Sequence, residues 1–147
     1  MNIVERFAFE VPMKPVAKER PRSRPDGRPW TPKGTIVGEQ TIATIWAANG
    51  RPRLEDGPIT LVVENVYERP RSHFTKSGEL RQGKAEAIPG PVTDWDNLGK
   101  LACDSLNGLA WSDDRLIVDG RSVKRWAEEG EHAKVVIGAW AHNGRTP

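Results

Sequence analysis

ITLVVENVY, residues Ile59–Tyr67, decides the fold. The run is dense in β-branched side chains and short, so it reads as a strand, with Leu61-Val62-Val63 its interior heart. Such an apolar centre predicts a central strand of the sheet. Working back, Ile42, Ile45 and Trp46 recur at helical spacing, which predicts a helix over about 35–49, weakened at its start by Gly38 and stopped by Asn49-Gly50. Six prolines between Pro12 and Gly34 exclude a helix interior or central strand there, so that stretch is a long surface loop. Before it, Phe7, Phe9 and Val11 alternate with Ala8 and Glu10, the period of a half-buried strand over Ile3–Val11.

Working forward, Glu68–Thr93 has glycines, basic residues and no periodicity, and is a second loop. Leu98, Leu101, Ala102 and Leu106 form one stripe of a helix over about 96–107, with Gly108 placed as the residue after its C-cap. Arg115–Trp126 and His132–Trp140 read as strands, and the short turn Ala127–Glu131 between them predicts a terminal hairpin. The order strand, helix, strand, helix, strand, strand gives an α/β (α+β) fold, two layers with a mixed sheet covered by two helices. At 147 residues the chain makes a single domain over 1–147.

Composition narrows the function. Cys103 is the only cysteine, so no disulfide forms within the chain and a reducing, cytoplasmic setting is expected. No apolar run approaches the roughly 18 residues of a membrane span, and MNIVERFAFE lacks the apolar core of a secretory signal. No membrane role is therefore expected. The net charge of +2 conceals an uneven distribution: residues 1–90 carry 15 Lys+Arg against 11 Asp+Glu, and residues 91–147 carry 7 against 9. From Lys14 to Lys33 the local balance is +5, a density that suits a polyanion and equally a solvated loop.

The chemistry concentrates in TDWDNLGK (93–100), DSLNG (104–108) and WSDD (111–114). Asp96 falls where an N-cap belongs, able to accept from the amides of Leu98 or Gly99, and Lys100 follows one turn later. An N-cap and a turn account for these acids with no further role. Yet Asp94, Asp96, Asp104, Asp113 and Asp114 all straddle one short helix. If the strand starting at Arg115 lies beside the helix N-terminus, Asp113 or Asp114 faces Asp94 and Asp96. Carboxylates that close require a shared proton or a cation. Oxygen donors without Cys or His select Mg²⁺ or Mn²⁺.

An acidic metal site beside basic loops is what phosphodiester cleavage requires, with a lysine at the scissile phosphate and arginines on its neighbours. The chain has no G-x-x-x-x-G-K-S/T or G-x-G-x-x-G loop, Cys103 reads as helix packing, and His73, His132 and His142 are scattered. His73 alone stands within a basic loop.

PVAKERPR (15–22), WTP (30–32), RPRSH (69–73) and above all DWDNL-x-K (94–100) with D-x-LNG (104–108) and Asp113-Asp114 resemble the RusA-type Holliday junction resolvases, often carried by phages and prophages. The resemblance implies a homodimeric endonuclease that binds four-way DNA junctions and, with Mg²⁺, nicks two strands symmetrically. It puts metal-binding aspartates on Asp94, Asp96 and Asp114, an essential lysine on Lys100, a supporting carboxylate on Asp113 and the basic N-terminal motif on Arg20 and Arg22. Asp104 matches a family position without being a ligand. Thr93 departs from the family, where a proline usually precedes the first aspartate. DNA contacts are expected from Lys18, Arg20, Arg22, Arg24, Lys33, Arg69, Arg71 and Lys76. Two equivalent scissile strands are most simply met by a two-fold dimer, with the terminal hairpin and exposed tryptophans as the first surfaces to consider. The alternatives are a catalytically inactive DNA-binding phage regulator on the same fold and a general structure-selective or single-strand nuclease.

Overall fold

The computed structural model describes residues 3–50 and 52–142. Its strands are β1 (Ile3–Val11), β2 (Arg22–Ser23), β3 (Pro29–Trp30), β4 (Ile59–Tyr67), β5 (Ile117–Trp126) and β6 (Lys134–His142); its helices are α1 (Lys33–Ala48) and α2 (Trp95–Leu106). The four long strands form one mixed sheet in the order β1-β6-β4-β5. β6 runs antiparallel to both β1 and β4, while β4 and β5 are parallel, linked by a crossover that contains α2. This is the two-layer α+β architecture that the order of elements predicts. β4 is interior as expected, with Leu61 and Val63 buried on the helical side.

The terminal hairpin does not form. β5 and β6 follow one another in sequence, but β4 lies between them. Composition explains the arrangement: β6 (KVVIGAWAH) buries alternate residues and has partners on both edges, whereas β5 (IVDGRSVKRW) is largely exposed and takes an edge. A parallel partner for β4 also needs a long crossover, which α2 supplies and a five-residue turn cannot.

The core lies between the helices and one face of the sheet. Phe7, Phe9 and Val11 of β1, Ile59, Leu61 and Val63 of β4, and Val135, Ile137, Ala139 and Ala141 of β6 meet Ile42, Leu101, Ala102 and Leu106 of the helices. The predicted leucine stripe of α2 is buried throughout, each full Leu burial contributing about 1.5–3 kcal/mol. Gly38, which weakened the predicted start of α1, is the place where the two helices meet: a Cβ there would stand 3.0 Å from Leu101 Cδ2. α1 therefore begins earlier than its propensities suggest, directly after Pro32. Within the proline-rich loop, β2 and β3 pair as a short antiparallel ribbon, and Arg22 lies over the Trp30 ring at 5.6 Å. Gly108, with φ +79°, follows the Asn107 C-cap of α2 as anticipated.

Candidate active site

The N-terminus of α2 is open to solvent. Asp94, not Asp96, takes the N-cap position, in extended conformation and without a side-chain capping bond. Asp96 sits in the first turn and accepts the amide of Asn97 at 2.9 Å, rather than those of Leu98 or Gly99. Neither carboxylate is consumed by capping in the usual N2 or N3 geometry, so both keep oxygens for another partner. Trp95, between them, is 59% exposed. Lys100 is exposed one turn further on.

The first basic loop is fastened across this helix end. The amide of Lys18 donates to the carbonyl of Asn97 at 2.8 Å, and the amide of Glu19 donates to Thr35 Oγ1 at 3.1 Å. Between loop and helix runs a cleft of about 920 Å³ whose walls include Arg20 and Arg22 on one side and Asp94, Asp96 and Lys100 on the other. The structure thus brings together two carboxylates, a lysine and two arginines that the sequence singled out.

Lys18 lines the cleft as well but is held in another role, and the other expected site residues stand outside it. The Lys18 ammonium is held by Glu39 and, at 3.2 Å, by Asp104, and the Glu39 bond chiefly raises its pKa. It braces the loop against both helices instead of offering a phosphate contact. Arg69 donates to the Lys84 carbonyl at 2.6 Å and stacks 4.9 Å over the Trp126 ring, so it too is structural. Arg24 and Lys33 are exposed near the cleft's loop, on the ribbon turn and at the start of α1; Arg71 and Lys76 are exposed on the second loop, which reaches the cleft only at its end, through Val92 and Thr93.

Asp114 is the largest departure. It accepts Trp111 Nε1 at 2.7 Å and does not line the cleft. Burial, followed by the charges of Asp104 and Asp113, raises its carboxyl, while the Trp111 bond opposes the rise. Asp113 caps the 3-10 turn Asp114–Leu116 by accepting the Arg115 amide at 2.9 Å. The direction of β5 explains this placement. Ser122 approaches Gly99, where an added Cβ would meet Ser122 Cβ at 3.2 Å, and Lys124 reaches Thr93, so β5 runs antiparallel to α2. Residues just before β5 therefore reach the C-terminal half of α2, about 12 Å along the axis from Asp96. The five acids form two groups, Asp94 with Asp96 and Asp104 with Asp113 and Asp114. Among the described residues no three His, Cys, Asp or Glu side chains are disposed to hold a metal ion.

A hard cation still fits the first group. Mg²⁺ keeps much of its water and is commonly bound through one or two carboxylates completed by substrate phosphates, which is the donor set that Asp94 and Asp96 offer at the mouth of a basic cleft. The remaining candidates are structural. Burial, then Asp114 and Asp104, push the Cys103 thiol up to about 12, leaving no nucleophilic thiolate near neutral pH. His73 is buried edge-on against Trp126, 5.1 Å between centroids, and burial with nearby Lys84 and Arg69 lowers its pKa. His142 bonds Thr60 at 2.8 Å, and His132 lies 3.3 Å from Glu68.

Residues 12–138 match the family model described as endodeoxyribonuclease RusA. The chain belongs to the RusA endodeoxyribonuclease family. The chain is also similar to a Bacillus subtilis (strain 168) protein named "Uncharacterized protein YqaN", with 32% identity over 127 residues, covering 82% of this chain and 88% of that one. The RusA match spans the basic loop, both helices, β4 and β5, so every residue lining the cleft lies within it. No described helix is long and apolar enough to cross a membrane.

One residue beside the cleft escaped the sequence reading: Lys124, whose ammonium holds the backbone just ahead of Asp94. In sequence it is one polar position in a largely polar strand, and nothing there signals a role.

Proposed function

We propose that this RusA-family chain is a Mg²⁺-dependent endonuclease that resolves four-way DNA junctions by paired nicks, acting as a homodimer in the cytoplasm. One observation carries the reading: a single cleft faces Arg20 and Arg22 on the basic loop across to Asp94, Asp96 and Lys100 on α2. Asp94 and Asp96 would hold the cation, with Mn²⁺ as a possible substitute. The bound ion supplies charge stabilisation at the scissile phosphate and acidifies a water. Arg20 and Arg22 bind phosphates flanking the cut and fix the strand along the cleft, with Arg24 and Lys33 extending the track. Lys100, one turn from Asp96, places its ammonium toward the phosphate and stabilises charge developing on its oxygens. The dimer follows from symmetry, because two equivalent nicks call for two equivalent sites.

The distance of Asp114 from the cleft favours a second reading, a DNA-binding regulator without nuclease activity. Labelled four-way junction, flap and linear duplex, each incubated with Mg²⁺ or EDTA, separate the possibilities. Paired nicks confined to the junction and dependent on Mg²⁺ are expected. Equal cutting of all three would indicate a general nuclease, and binding without nicks a regulator.

Binding should weaken steeply with salt, since each neutralised phosphate contributes about −0.9 to the log–log slope. Replacing both Arg20 and Arg22 by Gln is expected to flatten that slope by roughly two units. The 3.8 Å approach of Glu19 to Arg22 is solvent-exposed and competes little with a phosphate. Fluorescence anisotropy over a salt series measures the slope, and an unchanged value would place the contact outside this cleft.

A further inference from the structure

We infer that Lys124 of β5 is the positioning residue that sets Asp94 at the cleft. Its ammonium donates to the carbonyl of Gly90 at 2.9 Å and to that of Thr93 at 2.8 Å. Thr93 immediately precedes Asp94, so one of these bonds fixes the peptide unit that carries the first carboxylate. The other closes the turn from behind: the Gly90 carbonyl also accepts the Thr93 amide at 3.0 Å. A single cation thus gathers both ends of the segment 90–93.

The surroundings make this segment dependent on that clamp. Gly90 has φ +51° and lies against Tyr67, where an added Cβ would stand 2.5 Å from the ring carbon Cζ. Only glycine accepts both the conformation and the contact. Trp126, two residues beyond Lys124, donates from Nε1 to the Ala87 carbonyl at 2.6 Å and secures the earlier part of the loop. From Thr93 onward the backbone has no strand partner until α2 begins, and Val92 is 96% exposed. Asp94 itself makes no capping bond that would hold its side chain. Its placement therefore depends on the peptide before it, which Lys124 anchors to the rigid sheet. Charge-assisted bonds of this kind are stronger than neutral ones, and supporting groups behind metal ligands govern ion affinity.

This inference rests on Asp94 being a ligand, and its test has one arm that does not. Lys124→Met removes the ammonium and retains the apolar stem. In the metal-free variant, amide hydrogen exchange at Thr93 and Leu98 is expected to rise about tenfold, with β4 and β6 amides unchanged. In junction cleavage, the Mg²⁺ concentration for half-maximal rate is expected to rise about tenfold or more while the KM for DNA holds. Lys124→Arg, which keeps donors, should recover part of both effects. A lysine that merely stabilises the fold would lower Tm and leave the Mg²⁺ demand unaltered, and that result overturns the inference, as does unaltered exchange at Thr93. Should Lys124→Met fail to fold, the same readings on Lys124→Gln decide. If the wild-type protein does not nick junctions at all, the nuclease reading fails, and the exchange arm alone decides whether Lys124 anchors this peptide.

Discussion

Asp96→Asn is expected to leave junction binding within about twofold and to slow Mg²⁺-dependent nicking by about two to three orders of magnitude. The amide has nearly the shape of the carboxylate and can still accept the Asn97 amide, so α2 should keep its first turn. What is lost is the negative charge through which the ion is held. Affinity for DNA comes from the facing wall, where Arg20 and Arg22 are untouched by the change. A gel shift in EDTA measures the first quantity and a nicking time course in Mg²⁺ the second. A variant that cuts at the wild-type rate would remove Asp96 from the site.

Trp111→Ala is expected to cost about 3–5 kcal/mol of folding stability, measured as a lower urea midpoint at unchanged slope. Trp111 is fully buried and is the largest side chain of the core. It also donates to Asp114, whose carboxylate is left without that partner in the variant. Trp111→Phe refills most of the volume and isolates the hydrogen bond, with an expected loss of about 1–3 kcal/mol. A loss below about 1 kcal/mol for the alanine variant would mean that the residue is less tightly enclosed than described.

The elements were legible because each carries a strong local signal. The alternation of β1, the β-branched run of β4 and the leucine stripe of α2 all state which face is buried. The pairing of the last two strands was not legible, because a short turn predicts a hairpin and only the polar character of DGRSVKR against VVIGAW tells which strand takes the edge. The site divided in the same way. Asp94, Asp96 and Lys100 lie on one contiguous segment, so spacing alone placed them near one another. Asp114 depended on the direction of β5 relative to α2, a tertiary fact that leaves no periodic trace. Lys18 and Arg69 looked like their exposed neighbours in sequence; the two acids, the carbonyl and the ring that occupy them come from other parts of the chain. Lys124 was missed for that reason too, since its meaning lies in two carbonyls more than thirty residues away.

Paramagnetic broadening by Mn²⁺ tests the central claim most directly, because it reports where an ion sits without requiring turnover. Amide spectra recorded as Mn²⁺ is added are expected to lose the signals of residues around Asp94–Lys100 first, and to keep them in Asp94→Asn/Asp96→Asn at the same concentration. Broadening centred on Asp104, Asp113 and Asp114 instead, or identical in the double variant, would contradict the account.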